Sequence, residues 1–362
     1  YKGLGEIYRT RLKDREYAIP AFQLAAERRP TDVKVHEILT ELYEESPDTY
    51  SKAIEAHRRL IHLEPNKRAD NYKSIYRLYR GLEEFDAAWL IAGLLHGLGQ
   101  ADDDMTQFYL QYREPSMIQS TSSISGELWQ TQLLMNPSDL TIGRIFQIQI
   151  LFETVGGSLR RESLKDYGVK KKESELDLSD GSTFSNVVNR TAQIMNVSVP
   201  TIYVLERHLG IQIINVDEPS ILVGTDMLSG RSEKELAFVM GKVLTLFLPV
   251  HVMAGIYGRA ELKLLFLGSL NVVNPDAGIA ADNEELEAIS EAIMDNISQE
   301  NLAELSSLLE KTQEPGNQVN LSTWVNNIDL TGNRVGMLMC SDFSVALNTL
   351  QSRIFSVGKV AG

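Results

Sequence analysis

Glu233–His251 reads EKELAFVMGKVLTLFLPVH, and its reading decides the fold of the C-terminal two-thirds of the chain. Ser232 precedes it as an N-cap. Glu233 and Glu235 fall in the first turn, where carboxylates suit the positive end of a helix. The apolar run that follows predicts a helix from Glu233 to about Leu248, stopped by Pro249. Lys242 is the single charge between Glu235 and His251.

Working outward, Phe184–Asn196 is amphipathic, with Phe184, Val187, Val188, Ala192, Ile194 and Met195 on its apolar side. Two β-like runs follow, Thr201–Leu205 and Ile211–Val216, separated by a turn at His208–Gly210. A third, Ser220–Gly224, leads into Thr225-Asp226-Met227-Leu228. Further upstream, Glu127–Leu134 and Asp139–Thr154 read as helices, with Asp139 as N-cap and Gly156-Gly157 as a stop. Leu159–Asp177 is dense in charge and reads as a solvated loop or short helix. Downstream, Ala254–Leu270, Glu284–Ile297, Gln299–Lys311, Leu321–Met339 and Ser341–Ser356 read as helices, with breaks at Asn274–Gly278 and Glu314–Asn317.

This order of strands, a VGTDML turn and an E-L-x-F-V-x-G helix resembles the catalytic domain of Oma- and CAAX-endopeptidase-type zinc peptidases. Their helix reads roughly E-L-x-x-V-L-G/A-H-E-x-x-H, with another histidine nine residues after the first. Gly241 and His251 match the small residue and the later histidine. Lys242 stands at the first ligand, Val243 at the general base and Leu246 at the second ligand. The family's third ligand lies in a later E-x-x-A-D-R-x-G pattern, and Asp329-Leu330-Thr331-Gly332-Asn333-Arg334-Val335-Gly336 falls in that place. Asp329 keeps a carboxylate, Arg334 and Gly336 match, and Asn333 replaces the aspartate. The resemblance implies a zincin-like fold over about residues 139–356.

The same resemblance implies that the metal chemistry is gone. Zinc takes three protein ligands plus water, with two histidines at i and i+4 on one helix face. A protonated lysine repels a dication, and leucine and valine offer no lone pair or base. No cofactor and no metal are expected. Lys242 and Asp329 either pair in the metal's stead or Lys242 runs to solvent. His208, Asp217, Glu218 and Asp226 show no ligand spacing. Cys340 lies in an apolar stretch and reads as a small hydrophobe, and no nucleophile-elbow or phosphate-loop motif is present.

The N-terminal third repeats with a period of about 34 residues. Arg15–Pro30, Thr49–Pro65 and Glu83–Gly99 align on Ala18, Ala53 and Ala87, followed by Phe22, His57 and Ile91, then Ala25, Leu60 and Leu94. Partner helices carry Leu4-Gly5-x-x-Tyr8, Ile38-Leu39-x-x-Leu42-Tyr43 and Ile75-Tyr76-x-x-Tyr79. These residues resemble tetratricopeptide repeats, with a missing tryptophan, a bulky Tyr76 at a small-residue position and a one-residue slip in the first repeat. The resemblance implies a concave face showing Lys2, Glu6 and Arg9, then Glu37, Glu41 and Glu44, then Lys73, Arg77 and Arg80. Those charges either select a charged partner or are ordinary solvated faces. Ala101–Arg113 reads as a capping helix.

The 362 residues carry a net charge of -14, which argues against a nucleic-acid footprint. No apolar run reaches the roughly 18–20 residues a membrane span needs. One cysteine rules out an internal disulfide framework and fits a reducing, cytoplasmic setting. Because the chain starts at Tyr1 within what reads as a repeat, a fragment of a longer protein is expected. The expected fold is mainly α, α+β overall, with a helical solenoid at 1–113, a linker and entry helix at 114–138 and a mostly helical domain with a small sheet at 139–362. The expected function is a non-catalytic protein-interaction scaffold whose repeat groove takes a peptide or helix of another protein. The alternative is a hydrolase built on His251 and Asp329.

Overall fold

The computed structural model describes residues 1–150, 162–170, 174–216, 218–280, 283–314 and 319–352. Among them the chain is mainly helical, with 18 helices and one small three-stranded sheet. It divides into two compact units. The first is Tyr1–Glu114 with Asp342–Leu347, and the second is Pro115–Ser341 with the described residues from Asn348.

The first unit is built from helical hairpins. Helix α1 (Lys2–Glu6) runs on as a π-helical turn, Ile7–Leu12, to Lys13 at φ 53°, and packs on α2 (Arg15–Arg28). A π turn takes one residue more than an α turn, and it lies where the repeat pattern slips by one. Then come α3 (Val33–Glu44), α4 (Tyr50–Leu63), α5 (Arg68–Gly81), α6 (Phe85–Gly97) and α7 (Asp103–Gln111). Asp14, Asp32 and Asp102 start α2, α3 and α7 by accepting the backbone N–H of Tyr17, Val35 and Met105. Ala18, Ala53 and Ala88 are fully buried, so the repeats stand 35 residues apart in each step. The third copy is therefore in phase on Ala88, Ala92 and Leu95, not on Ala87. Letters alone left two adjacent alanines equivalent; the face turned toward the partner helices separates them.

The second unit begins within the expected linker, where α8 (Gly126–Leu128) passes into a π turn, Trp129–Leu133. Helix α9 (Asp139–Ile150) follows; the rest of the expected helix to Thr154, its Gly156-Gly157 stop and residues 159–161 and 171–173 of the charged segment lie outside the described residues. Helix α10 (Thr183–Met195) leads to β1 (Ile202–Val204), β2 (Ile211–Asn215) and β3 (Pro219–Val223). The sheet order is β1-β3-β2, with β1 parallel and β2 antiparallel to β3. After α11 (Thr225–Leu228) comes α12 (Glu233–Thr245), and then α13 (Val252–Ile256) and α14 (Arg259–Val273). The expected single helix 254–270 is thus broken at Tyr257-Gly258, where the Glu261 carboxylate accepts the Gly258 N–H at 2.7 Å and starts α14 afresh.

Helices α15 (Glu284–Asn296), α16 (Gln299–Gln313), α17 (Leu321–Cys340) and α18 (Phe343–Gln351) complete the described chain. The main core of this unit gathers Ile145, Phe146, Leu246, Met253, Leu265, Ile293, Leu309 and Trp324. Phe146 stacks on Trp324 at 4.9 Å between ring centroids.

Candidate functional site: the crossing of α12 and α17

Helix α12 starts with a full capping box: Ser232 Oγ accepts the Glu235 N–H, and the Glu235 carboxylate accepts the Ser232 N–H at 2.8 Å. From Leu236 to Thr245 every residue is buried. The helix ends at Thr245, three residues earlier than the sequence suggests. Pro249 has no N–H for the Thr245 carbonyl, and its ring disfavours helix at the preceding residue. The Thr245 carbonyl instead accepts the Leu248 N–H at 3.4 Å and His251 Nδ1–H at 3.1 Å. His251 is buried, and burial pulls its ring down to about 4 from the ordinary 6.5.

Glycines let α12 and α17 meet backbone to backbone. A Cβ on Gly241 would lie 2.9 Å from the Gly336 Cα, and one on Gly336 would lie 2.5 Å from the Phe238 carbonyl oxygen. Gly332 faces the Lys242 stem, where an added Cβ would stand 3.1 Å from its Cγ. The Lys242 side chain, 8% exposed, crosses this gap and ends with Nζ 2.9 Å from Asp329 Oδ1. The Asp329 side chain is 37% exposed, so one end of the pair is buried and the other reaches toward solvent. Asn333 Nδ2 also approaches Asp329 Oδ2 at 3.5 Å.

The neighbouring side chains are packed or hydrogen-bonded. Val243 and Leu246 are buried, and Leu246 belongs to the main core. Arg334 Nη1 donates to the Leu134 carbonyl at 3.0 Å, and Thr331 Oγ1 accepts the Met135 N–H at 3.0 Å. A cation at the last carbonyls of the Trp129–Leu133 turn satisfies groups that lack an internal partner. No hydrogen bond joins His251 to Asp329 among the described residues. Nor does any group of three or more His, Cys, Asp or Glu there converge to hold a metal. The side chains at the crossing do not fit zinc, since Lys242 brings an ammonium and Val243 and Leu246 bring no lone pair.

In the first unit, most of the expected face charges are paired within the array. Lys2 Nζ meets Asp32 at 3.2 Å; Arg9 meets Glu41 at 2.9 Å and Glu6 at 3.4 Å. Glu37 meets Lys67 at 3.0 Å, and Glu44 meets His57 Nε2 at 2.7 Å. His57 Nδ1 lies 2.8 Å from Asn71 Oδ1, so α3, α4 and α5 are tied through one buried ring. Lys73 and Arg77 have no ion pair among the described residues, and Arg80 sits over the Phe108 ring at 4.3 Å. Each acid of the expected band thus has a partner within the unit, whereas Lys73, Arg77 and Arg80 on α5 have no ion pair among the described residues.

A buried charge in this unit was not visible in the sequence. Asp342, wholly buried, accepts Tyr109 Oη–H at 2.6 Å and Arg113 Nε–H at 2.7 Å, and also the Val345 N–H at 3.1 Å. Burial pushes its carboxyl up, but the bonds from Tyr109, Arg113 and Val345 win and hold it below the usual range. Burial, reinforced by the carboxylate, raises the Tyr109 hydroxyl. A local cap signal exists at Asp342, yet its partners lie more than 225 residues away in sequence.

Compared with protein-family models, with curated proteins and with solved structures, the chain matches none of them. No helix among the described residues is long and apolar enough to cross a membrane.

Proposed function

We propose that this chain is a non-catalytic interaction scaffold. In this reading a tetratricopeptide-like array takes a peptide or helix of another protein. The second unit is a degenerate zincin-type, metallopeptidase-like domain that serves as a further binding surface or rigid platform. The observation that carries the reading is the Lys242–Asp329 ion pair, 2.9 Å across, at the positions the resemblance assigns to two zinc ligands. A fixed positive charge there performs the electrostatic part of a metal's structural work, neutralising Asp329, and supplies none of its Lewis acidity.

Leu246 in the core and His251 on the Thr245 carbonyl support the same view, because each has a packing role that a catalytic assignment would have to displace. The buried Cys340, the one cysteine of the chain, fits a reducing, cytoplasmic setting. The test is to saturate the purified chain with zinc and incubate it with casein and a panel of fluorogenic peptides. No cleavage above the blank is expected. Zinc-dependent cleavage abolished by a chelator overturns the proposal.

A further inference from the structure

Resting on the reading of the first unit as an interaction array, we propose that Lys73, Arg77 and Arg80 on α5 bind an acidic segment of a partner protein. The three stand at i, i+4 and i+7, on one helix face spanning about 10 Å. Lys73 is half-buried and Arg77 exposed, with neither held by an ion pair among the described residues. Arg80 is preorganised: its guanidinium lies 4.3 Å from the Phe108 centroid and donates from Nη1 to Tyr76 Oη at 2.8 Å. Held over the ring by one face and by one Nη1 bond, the guanidinium keeps further donors for a carboxylate and has less ordering cost to meet on contact.

The surrounding charges explain why the sign is specific. Asp104, the carboxylate near this stripe on α7, accepts the Tyr76 hydroxyl at 2.9 Å. The acids of α3 are engaged by Arg9, Lys67 and His57. The three cations stand beside an aromatic shelf in which Phe108 meets Tyr112 edge-on at 5.2 Å, with the exposed Asp70 one turn before Lys73 as the acid on the same helix face. Three cations on a chain of net charge -14 make a local acid-reading strip, not the broad basic surface a nucleic acid takes.

The test uses the whole chain and two alanine-based helical peptides of equal composition. One carries Glu at i, i+4 and i+7; the other has the same Glu residues scattered around the helix. The spaced peptide is expected to bind at least about ten-fold more tightly, and binding should weaken as salt rises from about 50 to 300 mM. K73E/R77E, with an unchanged melting curve, should lose the Glu peptide and gain a peptide bearing Lys at the same positions. Equal binding of the two Glu peptides, indifference to K73E/R77E, or displacement by an oligothymidylate overturns the proposal. An uncharged or basic peptide that binds wild type while the Glu peptide does not overturns the acidic partner and keeps the array as a binding surface. No binding by peptides of any charge overturns both.

Discussion

Lys242 Nζ and Asp329 Oδ1 meet at 2.9 Å from helices 87 positions apart in the chain. The lysine is the buried member, so the two partners are not equivalent on removal. Asp329→Asn leaves a shielded ammonium with a weaker acceptor and should cost on the order of 1–2 kcal/mol. Lys242→Met keeps the stem over Gly332 and removes the charge, and should stay within about 1 kcal/mol of wild type. Urea unfolding of both variants checks the order; a larger loss for Lys242→Met contradicts it.

The contact between Gly241 and Gly336 makes a sharper steric prediction. Gly336→Ala would drive a methyl to 2.5 Å from the Phe238 carbonyl oxygen, which is backbone and cannot move aside. The clash should outweigh the roughly 1 kcal/mol that alanine gains over glycine in a helix, for a net loss of about 2–4 kcal/mol. Gly3→Ala in α1 meets nothing within 4 Å and should stabilise slightly. Thermal melts of the pair separate packing from propensity.

His251 gives a pH dependence whose sign is fixed by burial. Its ring falls to about 4 in the folded chain from 6.5, so between those values the unfolded chain binds more protons. Stability from the neutral ring is complete above about pH 6.5 and is lost as pH falls toward 4, on the order of 3 kcal/mol in all. His251→Gln should flatten that window in a pH series of denaturant midpoints. An unchanged slope contradicts the assignment.

Asp342 tests the discontinuous first unit. Asp342→Ala strips Tyr109 and Arg113 of a buried acceptor and the α18 start of its cap, and should cost about 3 kcal/mol. Tyr109→Phe removes one bond and should cost about 1 kcal/mol. Because the folded carboxyl is held below its ordinary 3.8, this contribution persists above that pH and disappears only in stronger acid. Chemical denaturation near pH 7 and near pH 3 reads both effects.

Local signals carried much of this fold. Ser232 with Glu235 announced the start of α12, and the runs at 201–205, 211–216 and 220–224 became the three strands because β-branched residues lie between turn signals. The candidate pair Lys242 and Asp329 was legible only through a resemblance, since nothing in either segment indicates the other. Phase and long-range partnership were not legible. Ala87 and Ala88 differ only in which way each faces, and Asp342 finds Tyr109 and Arg113 through tertiary packing. The pairing of Glu41 with Arg9 and Glu37 with Lys67 was not legible either, because each partner lies about one repeat away in sequence.

The most direct measurement of the central claim is the zinc content of the whole chain after saturation with zinc and exhaustive dialysis. With Lys242 and Asp329 paired, far less than one zinc per chain should remain, and Asp329→Asn should not change that value. One zinc per wild-type chain, lost on Asp329→Asn, contradicts the account.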